Sequence, residues 1–578
     1  MHRNDIRPGL AELRAARRES FGLAGVVFMF SIVVNLLMLT GPLYMLQLYD
    51  RVLGSRSVET LVALSVLVAF LYLIMGILDY VRGRIMARIG ARFQDKLDRR
   101  VFQASLRRLQ LAPGDPAAVA AQRDLEAVQR LWSSPVLIAI FDIPWTPLFI
   151  TAIFIFHTWM GWLAVLGGAL LVVVSILNQR TTSNPMQRAN MAMMQAERTG
   201  DNIKAEAEIV QALGMSGASF DRWQKARGMA LAESIGVADL GGSFMTLSKT
   251  FRLFLQSAML GLGAYLVLRG ELSAGAMIAG SILMGRALAP IEMAVGQWAV
   301  VQRASEGWNR LAELFTRQPQ EPARSALPRP RAILEAQNLT VAPPGTQQAV
   351  LRMVSFRLEP GQALGVIGPS GSGKSTLARA LIGAWRPAGG KVRLDGAALD
   401  QYDPDVLGSY IGYLPQRVAL FDGTIADNIA RLQSNPDGLK VVEAARKAAA
   451  HDMIVKLPDG YDTRVTSFGG RLSGGQIQRI GLARAMYGDP VILVLDEPNS
   501  NLDNEGSMAL NIAIRAMKDA GCAVLIMAHR PAAIQECDLL MVLEDGNRRA
   551  FGPRDQVLRD MVKNHTEIVK SAGSGSVT

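Results

Sequence analysis

The first half of the chain carries six long apolar stretches separated by polar segments. They cover residues 23–46, 60–81, 136–156, 159–177, 247–268 and 276–295. The first stretch would rise about 36 Å as an α-helix, which is enough to cross a hydrocarbon core of about 30 Å. The pattern therefore predicts an all-α membrane domain with six transmembrane helices.

Helical periodicity continues well beyond two of these spans. After the second span it runs for about 28 residues, or roughly 40 Å, and residues 178–238 show the same pattern. Turning points are predicted at residues 114–116 and around Gly214 and Gly217. We expect long cytoplasmic extensions, which either link the membrane domain to a soluble motor or are ordinary solvated amphipathic helices.

The second half of the chain alternates short apolar runs with helical segments. Residues 363–367, 491–495 and 523–527 are apolar throughout, which predicts strands buried on both faces of a parallel sheet. The soluble part is therefore expected to be an α/β domain. The predicted boundaries are a cytoplasmic interfacial segment at 1–20, the transmembrane domain at 21–316, a proline-rich linker at 317–331, the α/β domain at 332–560 and a flexible tail at 561–578.

Composition agrees with a chain that has membrane and soluble parts. The 578 residues are 50% hydrophobic, with a mean hydropathy of +0.19 and a net charge of +11. Arginine-rich flanks of membrane spans explain this charge through the positive-inside rule, so we do not expect nucleic acid as a partner. Residues 1–20 are rich in arginine and should be cytoplasmic, with Leu10, Leu13 and Phe21 laying an apolar edge on membrane lipids.

Five ionisable residues fall inside or at the ends of the predicted spans. Each costs at least a few kcal/mol in lipid, so we expect them to face other helices or a watery cavity. Three interpretations remain open: the lining of a transport pathway, pairing between helices, and a position nearer the membrane interface than the predicted spans place them. The residues are Asp79, Asp142, Arg252, Arg286 and Glu292.

A glycine-rich loop follows the predicted strand 363–367 and precedes a helical segment, which is the setting of a phosphate-binding loop. Its backbone N–H groups can hold phosphates, Lys374 can neutralise the β and γ groups, and the Ser375 hydroxyl can bind Mg²⁺. A flexible Gly/Ser turn is the competing interpretation. The loop residues are Gly368, Pro369, Ser370, Gly371, Ser372, Gly373, Lys374, Ser375 and Thr376.

A second stretch that predicts nucleotide binding runs from residue 472 to residue 503. It begins with Leu472, Ser473, Gly474, Gly475 and Gln476. The two glycines let backbone N–H groups approach an anion at the start of the predicted helix, and the serine hydroxyl adds a further donor. The buried strand that follows ends in Asp496 and Glu497, at the edge where parallel sheets bind ligands. These carboxylates are candidates for a metal ligand and a general base.

Taken together, residues 334–558 resemble the ABC-transporter ATPase. The resemblance makes 368–376 the Walker A loop, 472–476 the signature motif and 500–503 the D-loop. It implies an α/β P-loop ATPase that uses ATP and Mg²⁺ and that works as a homodimer, because each signature faces the loop of another copy. The roles implied outside the two loops are the metal ligand Asp496, the catalytic base Glu497, the catalytic Q-loop glutamine Gln416 as a further metal ligand, the nucleotide-contacting Asp503 and the catalytic γ-phosphate sensor His529.

Finer segments resemble the type I secretion exporters of proteases and lipases. They lie at 41–61, 141–157, 207–215, 339–346 and 495–503. This resemblance implies a multi-pass protein of the bacterial inner membrane with a cytoplasmic ATPase. It also implies a periplasmic adaptor, an outer-membrane channel and a secreted protein substrate with a C-terminal signal.

Two other functions use the same ATPase motifs. A lipid or drug flippase would also have all six spans. Only the segments that resemble secretion exporters therefore favour the export of a protein over this function. A cytosolic ABC ATPase acting on nucleic acid would suit the basic charge, but the spans argue against it. One departure from the family is that residues 341–344 offer no aromatic ring for adenine to stack on.

Overall fold

The computed structural model divides the chain into two compact units. It describes residues 6–321, 324, 326–346, 348–466, 472–500, 502, 504–528 and 534–560, with the side chains of 504 and 505 excepted. The helical unit comprises residues up to 109 together with 113–320, and the sheet unit comprises 110–112 and the residues from 321 onward. The predicted tail at 561–578 lies outside the described residues.

The helical unit is built from α-helices throughout its described length. A π-helical turn at Leu48–Val52 and a 3₁₀ turn at Ile143–Trp145 join some of them. The α-helices are α1 Arg7–Arg18, α2 Phe21–Leu37, α3 Thr40–Gln47, α4 Leu53–Ser55, α5 Val58–Leu111, α6 Pro116–Trp132, α7 Pro135–Asp142, α8 Thr146–Phe156, α9 Thr158–Ala205, α10 Ala207–Ala212, α11 Ser216–Leu268, α12 Ala274–Gly296 and α13 Trp298–Arg317.

Among the described residues, six helical segments are long and apolar enough to cross a membrane, which confirms the predicted number of spans. The long extensions are also confirmed, since α5, α9 and α11 each continue far past the apolar part of the helix. The first span contains an irregular turn at Met38 and Leu39, between α2 and α3, where the backbone keeps right-handed helical angles. At the predicted turn, Asp115 caps α6 by accepting a hydrogen bond from the Ala117 amide.

Most of the charged groups predicted inside the spans are paired between or along helices. Arg82 is 2% exposed and donates to Asp142 at 2.7 Å and to Asp79 at 2.7 Å. Arg252 on α11 and Glu292 on α12 lie 2.5 Å apart. Pairing between helices is therefore confirmed for Asp142, Arg252 and Glu292, whereas Asp79 pairs along its own helix and Arg286 is in no ion pair in the described part of the chain.

Helix α1 packs against α13 and the extension of α5. Leu13 is fully buried in a cluster with Phe93 and Phe315, so the prediction that it contacts lipid is wrong. Arg100 reinforces the packing by donating to Glu12 at 2.8 Å. The amphipathic pattern predicted which edge of α1 is apolar, but it did not show whether this edge packs against protein or lipid, because apolar residues are favoured in contact with both.

The sheet unit contains twelve strands among its described residues. They are β1 Leu334–Val341, β2 Leu351–Leu358, β3 Ala363–Ile367, β4 Gly389–Leu394, β5 Ala397–Ala398, β6 Ile411–Leu414, β7 Gly423–Thr424, β8 Arg464–Val465, β9 Ile492–Asp496, β10 Ala523–Ala528, β11 Leu539–Glu544 and β12 Asn547–Pro553. The helices of this unit are α14 Lys374–Leu381, α15 Pro404–Tyr410, α16 Ile425–Ile429, α17 Gly438–Lys447, α18 His451–Val455, α19 Gly474–Met486 and α20 Asn504–Asp519.

The main sheet has the order β12-β11-β3-β10-β9-β6, and all neighbours are parallel except β11 and β12. Alternate residues of β9 enter two different hydrophobic cores, with Leu493 in one and Val494 in the other. Burial of both faces explains why β9 is apolar at every position before Asp496. The parallel arrangement brings the carboxyl ends of β3, β9, β10 and β6 to one edge of the sheet.

The docking of α1 makes a prediction that proteolysis can test. A Cβ atom added at Gly9 would lie 1.9 Å from the Ala312 carbonyl oxygen, whereas one added at Gly22 would meet nothing within 4 Å. We expect Gly9→Ala to undock α1 and to speed tryptic cleavage at its arginines about fivefold or more, because cleavage follows the population of the open form. Gly22→Ala is the matched control and should be cleaved at the wild-type rate. Equal rates for all three proteins would refute the docking.

Candidate nucleotide site

The loop between β3 and α14 is shaped for a bound anion. Gly373 stands at the N-terminus of α14 with φ = 100°, a conformation that favours glycine, and an added Cβ there would lie 2.7 Å from the Leu351 side chain. The Lys374 ammonium group folds back over the loop and donates to the carbonyl oxygens of Gly368 and Pro369 at 2.8 and 2.9 Å. The start of α14 thus presents amide groups and one cation to the same space.

Two features of the loop indicate that a ligand belongs there. Ser372 is 2% exposed, and its hydroxyl oxygen has no hydrogen-bond partner among the described residues. Burial lowers the pKa of Lys374, although the charges of Glu497 and Asp496 act in the opposite direction. Phosphate oxygens would satisfy the hydroxyl and stabilise the ammonium charge, so the loop fits a nucleotide.

Asp496 is the last residue of β9 and is 2% exposed. Burial raises its pKa, while a hydrogen bond with the Ser375 side chain acts to lower it. Its Oδ1 atom is buried and has no hydrogen-bond partner in the described part of the chain. A hydroxyl and a carboxylate with a free oxygen are hard oxygen ligands of the kind that Mg²⁺ prefers, so Ser375 and Asp496 could hold this ion.

Glu497 follows directly, in a conformation that is uncommon for its type. Its φ is 52°, and its amide donates to the Met527 carbonyl oxygen at 3.0 Å. Gln416 donates from Nε2 to Glu497 Oε2 at 3.1 Å. The structure therefore joins two residues that lie 81 positions apart, because β6 pairs with β9 in parallel register. A strained backbone that is held by its neighbours is frequent at catalytic positions.

The signature segment begins α19. Ser473 caps this helix, since its hydroxyl accepts from the Gln476 amide at 3.3 Å and its own amide donates to Gln476 Oε1 at 2.8 Å. Leu472 packs against the core, and Gly474 and Gly475 form the first turn. Among the described residues, no hydrogen bond joins this segment to the loop at 368–376. Within the described part of one copy, the two phosphate-facing motifs are therefore not hydrogen-bonded to each other.

Sequence reasoning missed three residues around the carboxylates. Gln478 is 2% exposed and donates to the Pro498 carbonyl oxygen at 3.2 Å, which ties α19 to the turn after Glu497. Tyr413 has its pKa raised by burial and by the charge of Asp496, and Arg379 hydrogen-bonds it. The contact of Gln478 could have been predicted, because a glutamine on the buried face of α19 needs a hydrogen-bond partner. The other two depend on packing that a single sequence does not reveal.

Two predicted site residues fall outside the described part of the chain. Asp503 and His529 both lie there, and their assignments remain predictions. The segment without an aromatic ring forms a turn, in which the amide and hydroxyl of Thr346 both donate to the Pro343 carbonyl oxygen, at 3.1 and 2.9 Å.

Comparisons with known proteins agree with both units. The family model for the ABC transporter transmembrane region matches residues 24–289, and the model described as ABC transporter matches residues 351–500. The chain belongs to the ABC transporter family. It is a multi-pass membrane protein whose ATPase domain couples ATP hydrolysis to transport.

The relatives place it further within this family. It is 43% identical over 553 residues to the type I secretion system ATP-binding protein PrsD of Rhizobium meliloti, covering 96% of this chain and 94% of the relative. It is 29% identical to the cyclolysin secretion/processing ATP-binding protein CyaB of Bordetella pertussis, covering 93% and 76%. A bacterial Atm1-family ABC exporter with ATP bound shares the fold, with a TM-score of 0.80, 22% identity and coverage of 96% of this chain and 99% of that structure.

The loop geometry predicts a steric effect that can be separated from backbone strain. Gly373 and Gly488 both have positive φ, but only at Gly373 would an added Cβ meet other atoms. We expect Gly373→Ala to weaken the binding of a fluorescent ATP analogue to the full-length protein about tenfold or more, because the loop must move to relieve the clash. Gly488→Ala has the same backbone penalty without the clash and should bind like the wild type. Equal affinities for both variants would contradict the assigned geometry.

Proposed function

We propose that this protein is an ATP-driven exporter of a protein substrate with a C-terminal secretion signal, acting as a homodimer in the inner membrane of a bacterium with two membranes. The observation that carries the proposal is the 43% identity to a type I secretion ATP-binding protein across both units. The six spans and the nucleotide site supply the parts that such an exporter needs. The proposed domains are those predicted above, at 21–316 and 332–560.

In this proposal the loop at 368–376 holds the phosphates of ATP. Lys374 would bind the β and γ phosphates in place of the loop carbonyls, and Ser375, Asp496 and Gln416 would hold Mg²⁺. When bound, this ion offsets the negative charge that shifts during phosphoryl transfer. Glu497 orients a water molecule and removes its proton for in-line attack on the γ-phosphate. His529 and Asp503 are proposed to contact the γ-phosphate side of the nucleotide.

The separation of the two motifs supports a dimer. Ser473 is exposed at the start of α19 and is not hydrogen-bonded to the phosphate loop of its own copy. We propose that it contacts the ATP held by Lys374 of a second copy. Hydrolysis then requires both copies, and closure of the two ATPase domains moves the membrane helices.

Proposed partners are the secreted protein, a periplasmic adaptor and an outer-membrane channel. Several relatives are named for protein export, including the toxin RTX-I translocation ATP-binding protein of Actinobacillus pleuropneumoniae, which is 29% identical. These names favour a polypeptide as cargo over a lipid or a drug. The likeness to the Atm1-family exporter concerns the fold alone.

The catalytic assignment predicts a variant that binds ATP without hydrolysing it. Glu497→Gln keeps the shape of the side chain but removes the base, so we expect ATP hydrolysis to fall about 10²- to 10⁴-fold. The Kd of a fluorescent ATP analogue should change little, and the Pᵢ released by purified protein gives the rate. Glu443→Gln changes a surface glutamate on α17 and is the control. Near-normal hydrolysis by Glu497→Gln would remove Glu497 from this role.

The export assignment predicts a specific loss from the culture medium. Deletion of the gene should abolish the appearance of one or a few proteins in the medium and raise their amount inside the cell. Mass spectrometry of both fractions measures this, and a plasmid with the wild-type gene should restore secretion while a Glu497→Gln plasmid should not. Unchanged secretion together with lost lipid or drug efflux would instead support the flippase function.

A further inference from the structure

The six spans hold few acidic side chains, and these are already paired. Between residues 60 and 295, the predicted spans and their ends contain Asp79, Asp142 and Glu292. The first two pair with Arg82, and the third pairs with Arg252. Because a second copy of the chain has the same pairs, neither copy has an unpaired carboxylate to offer inside the membrane.

Arg286 is a cation without a partner in this setting. Its side chain is exposed, and no hydrogen bond or ion pair connects it to any residue in the described part of the chain. It lies 12 residues after the start of α12 and 10 before its end, or about 18 and 15 Å along the helix. The side chain is too short to reach either interface from there. Lys249 is also exposed, but it lies at the first turn of its predicted span and can reach the interface.

The backbone adds a second polar group at the same place. Pro290 lies inside α12 and has no N–H, so the α-helical hydrogen bond to the Arg286 carbonyl oxygen cannot form. Lipid offers no donor that could replace it. Arg286 therefore contributes a guanidinium group and a carbonyl oxygen that lacks its α-helical donor, both near the middle of the predicted span.

The surroundings of α12 show which way this polar site opens. The helix packs against α3, α7, α8, α9 and α11 on its other sides. Its open face carries Arg286, Ala289 and Met293, which follow one another at helical spacing. A charged residue facing lipid at this depth costs several kcal/mol, so the open face borders water rather than lipid.

We propose that Arg286 binds carboxylate groups of the polypeptide as it passes through the membrane domain. This inference rests on the proposed function, because it takes the cargo to be a protein. Acids of both copies are paired, and lipid phosphates lie about 15 Å away at the bilayer surface. The counter-charge therefore arrives with the cargo, as an aspartate or glutamate side chain or as the C-terminal carboxylate.

The chemistry of the site suits transient binding. A guanidinium group holds a carboxylate through two parallel N–H···O bonds, which a lysine can only partly replace. Water on the open face weakens each bond enough for the cargo to move on. The site thus favours acidic segments over neutral ones without holding them permanently.

Peptide binding to the full-length protein tests this proposal. The protein is placed in nanodiscs of phosphatidylcholine, and fluorescence anisotropy measures the Kd of three labelled peptides of equal length. One carries glutamates and an amidated C-terminus, the second has glutamine at those positions and an amidated C-terminus, and the third has glutamine and a free C-terminal carboxylate. We expect the wild type to bind the glutamate peptide about tenfold tighter than the amidated glutamine peptide.

Three variants locate this preference. Arg286→Gln should abolish it, Arg286→Lys should keep part of it, and Arg303→Gln, which removes an exposed arginine from α13, should keep all of it. If the wild type binds the third peptide as tightly as the glutamate peptide, the carboxylate that Arg286 binds is assigned to the C-terminus of the cargo. A preference that survives in Arg286→Gln would overturn the proposal.

Two further outcomes separate this inference from the function on which it rests. If the wild type binds the glutamate and glutamine peptides equally, polypeptide export stands and the carboxylate site is refuted. If the wild type binds none of the peptides, both the site and a polypeptide cargo lose their support.

Discussion

Charged and polar groups that leave water must find partners, and this constraint shapes both units of the protein. In the membrane unit, Arg82 lies among two aspartates and Arg252 lies against Glu292. In the sheet unit, Asp496 is buried against Ser375. We assign ligands to the polar and charged side chains that have no partner among the described residues. The same physical argument therefore supports both the nucleotide site and the proposed cargo site.

The nucleotide site shows how the fold creates such groups. The parallel sheet ends β3 and β9 at one edge, so the phosphate loop and the carboxylates of Asp496 and Glu497 meet there. The closeness of Lys374 to these carboxylates offsets only part of the cost of burial. ATP with Mg²⁺ completes the charge balance in our proposal, and a second copy contributes Ser473.

Sequence patterns predicted the features that depend on local composition. Spans and buried strands require apolar residues along their whole length, so both were visible in the chain. Contacts set by tertiary packing were not visible, such as the burial of Leu13 against protein rather than lipid, or the bond from Gln478 to Pro498. The bond from Arg82 to Asp142 was also missed, because these two residues lie 60 positions apart in sequence.

A cross-linking experiment tests most directly the claim that one copy is incomplete. Ser370→Cys and Ser473→Cys are combined with Glu497→Gln in one chain, and the purified protein is treated with a bismaleimide. The native Cys522 and Cys537 are buried, which raises the pKa of each thiol to about 12 and keeps both thiols unreactive. The account predicts a band at twice the chain mass that needs ATP and both engineered cysteines. A band that forms equally without ATP, or cross-linking confined to single chains, would contradict it.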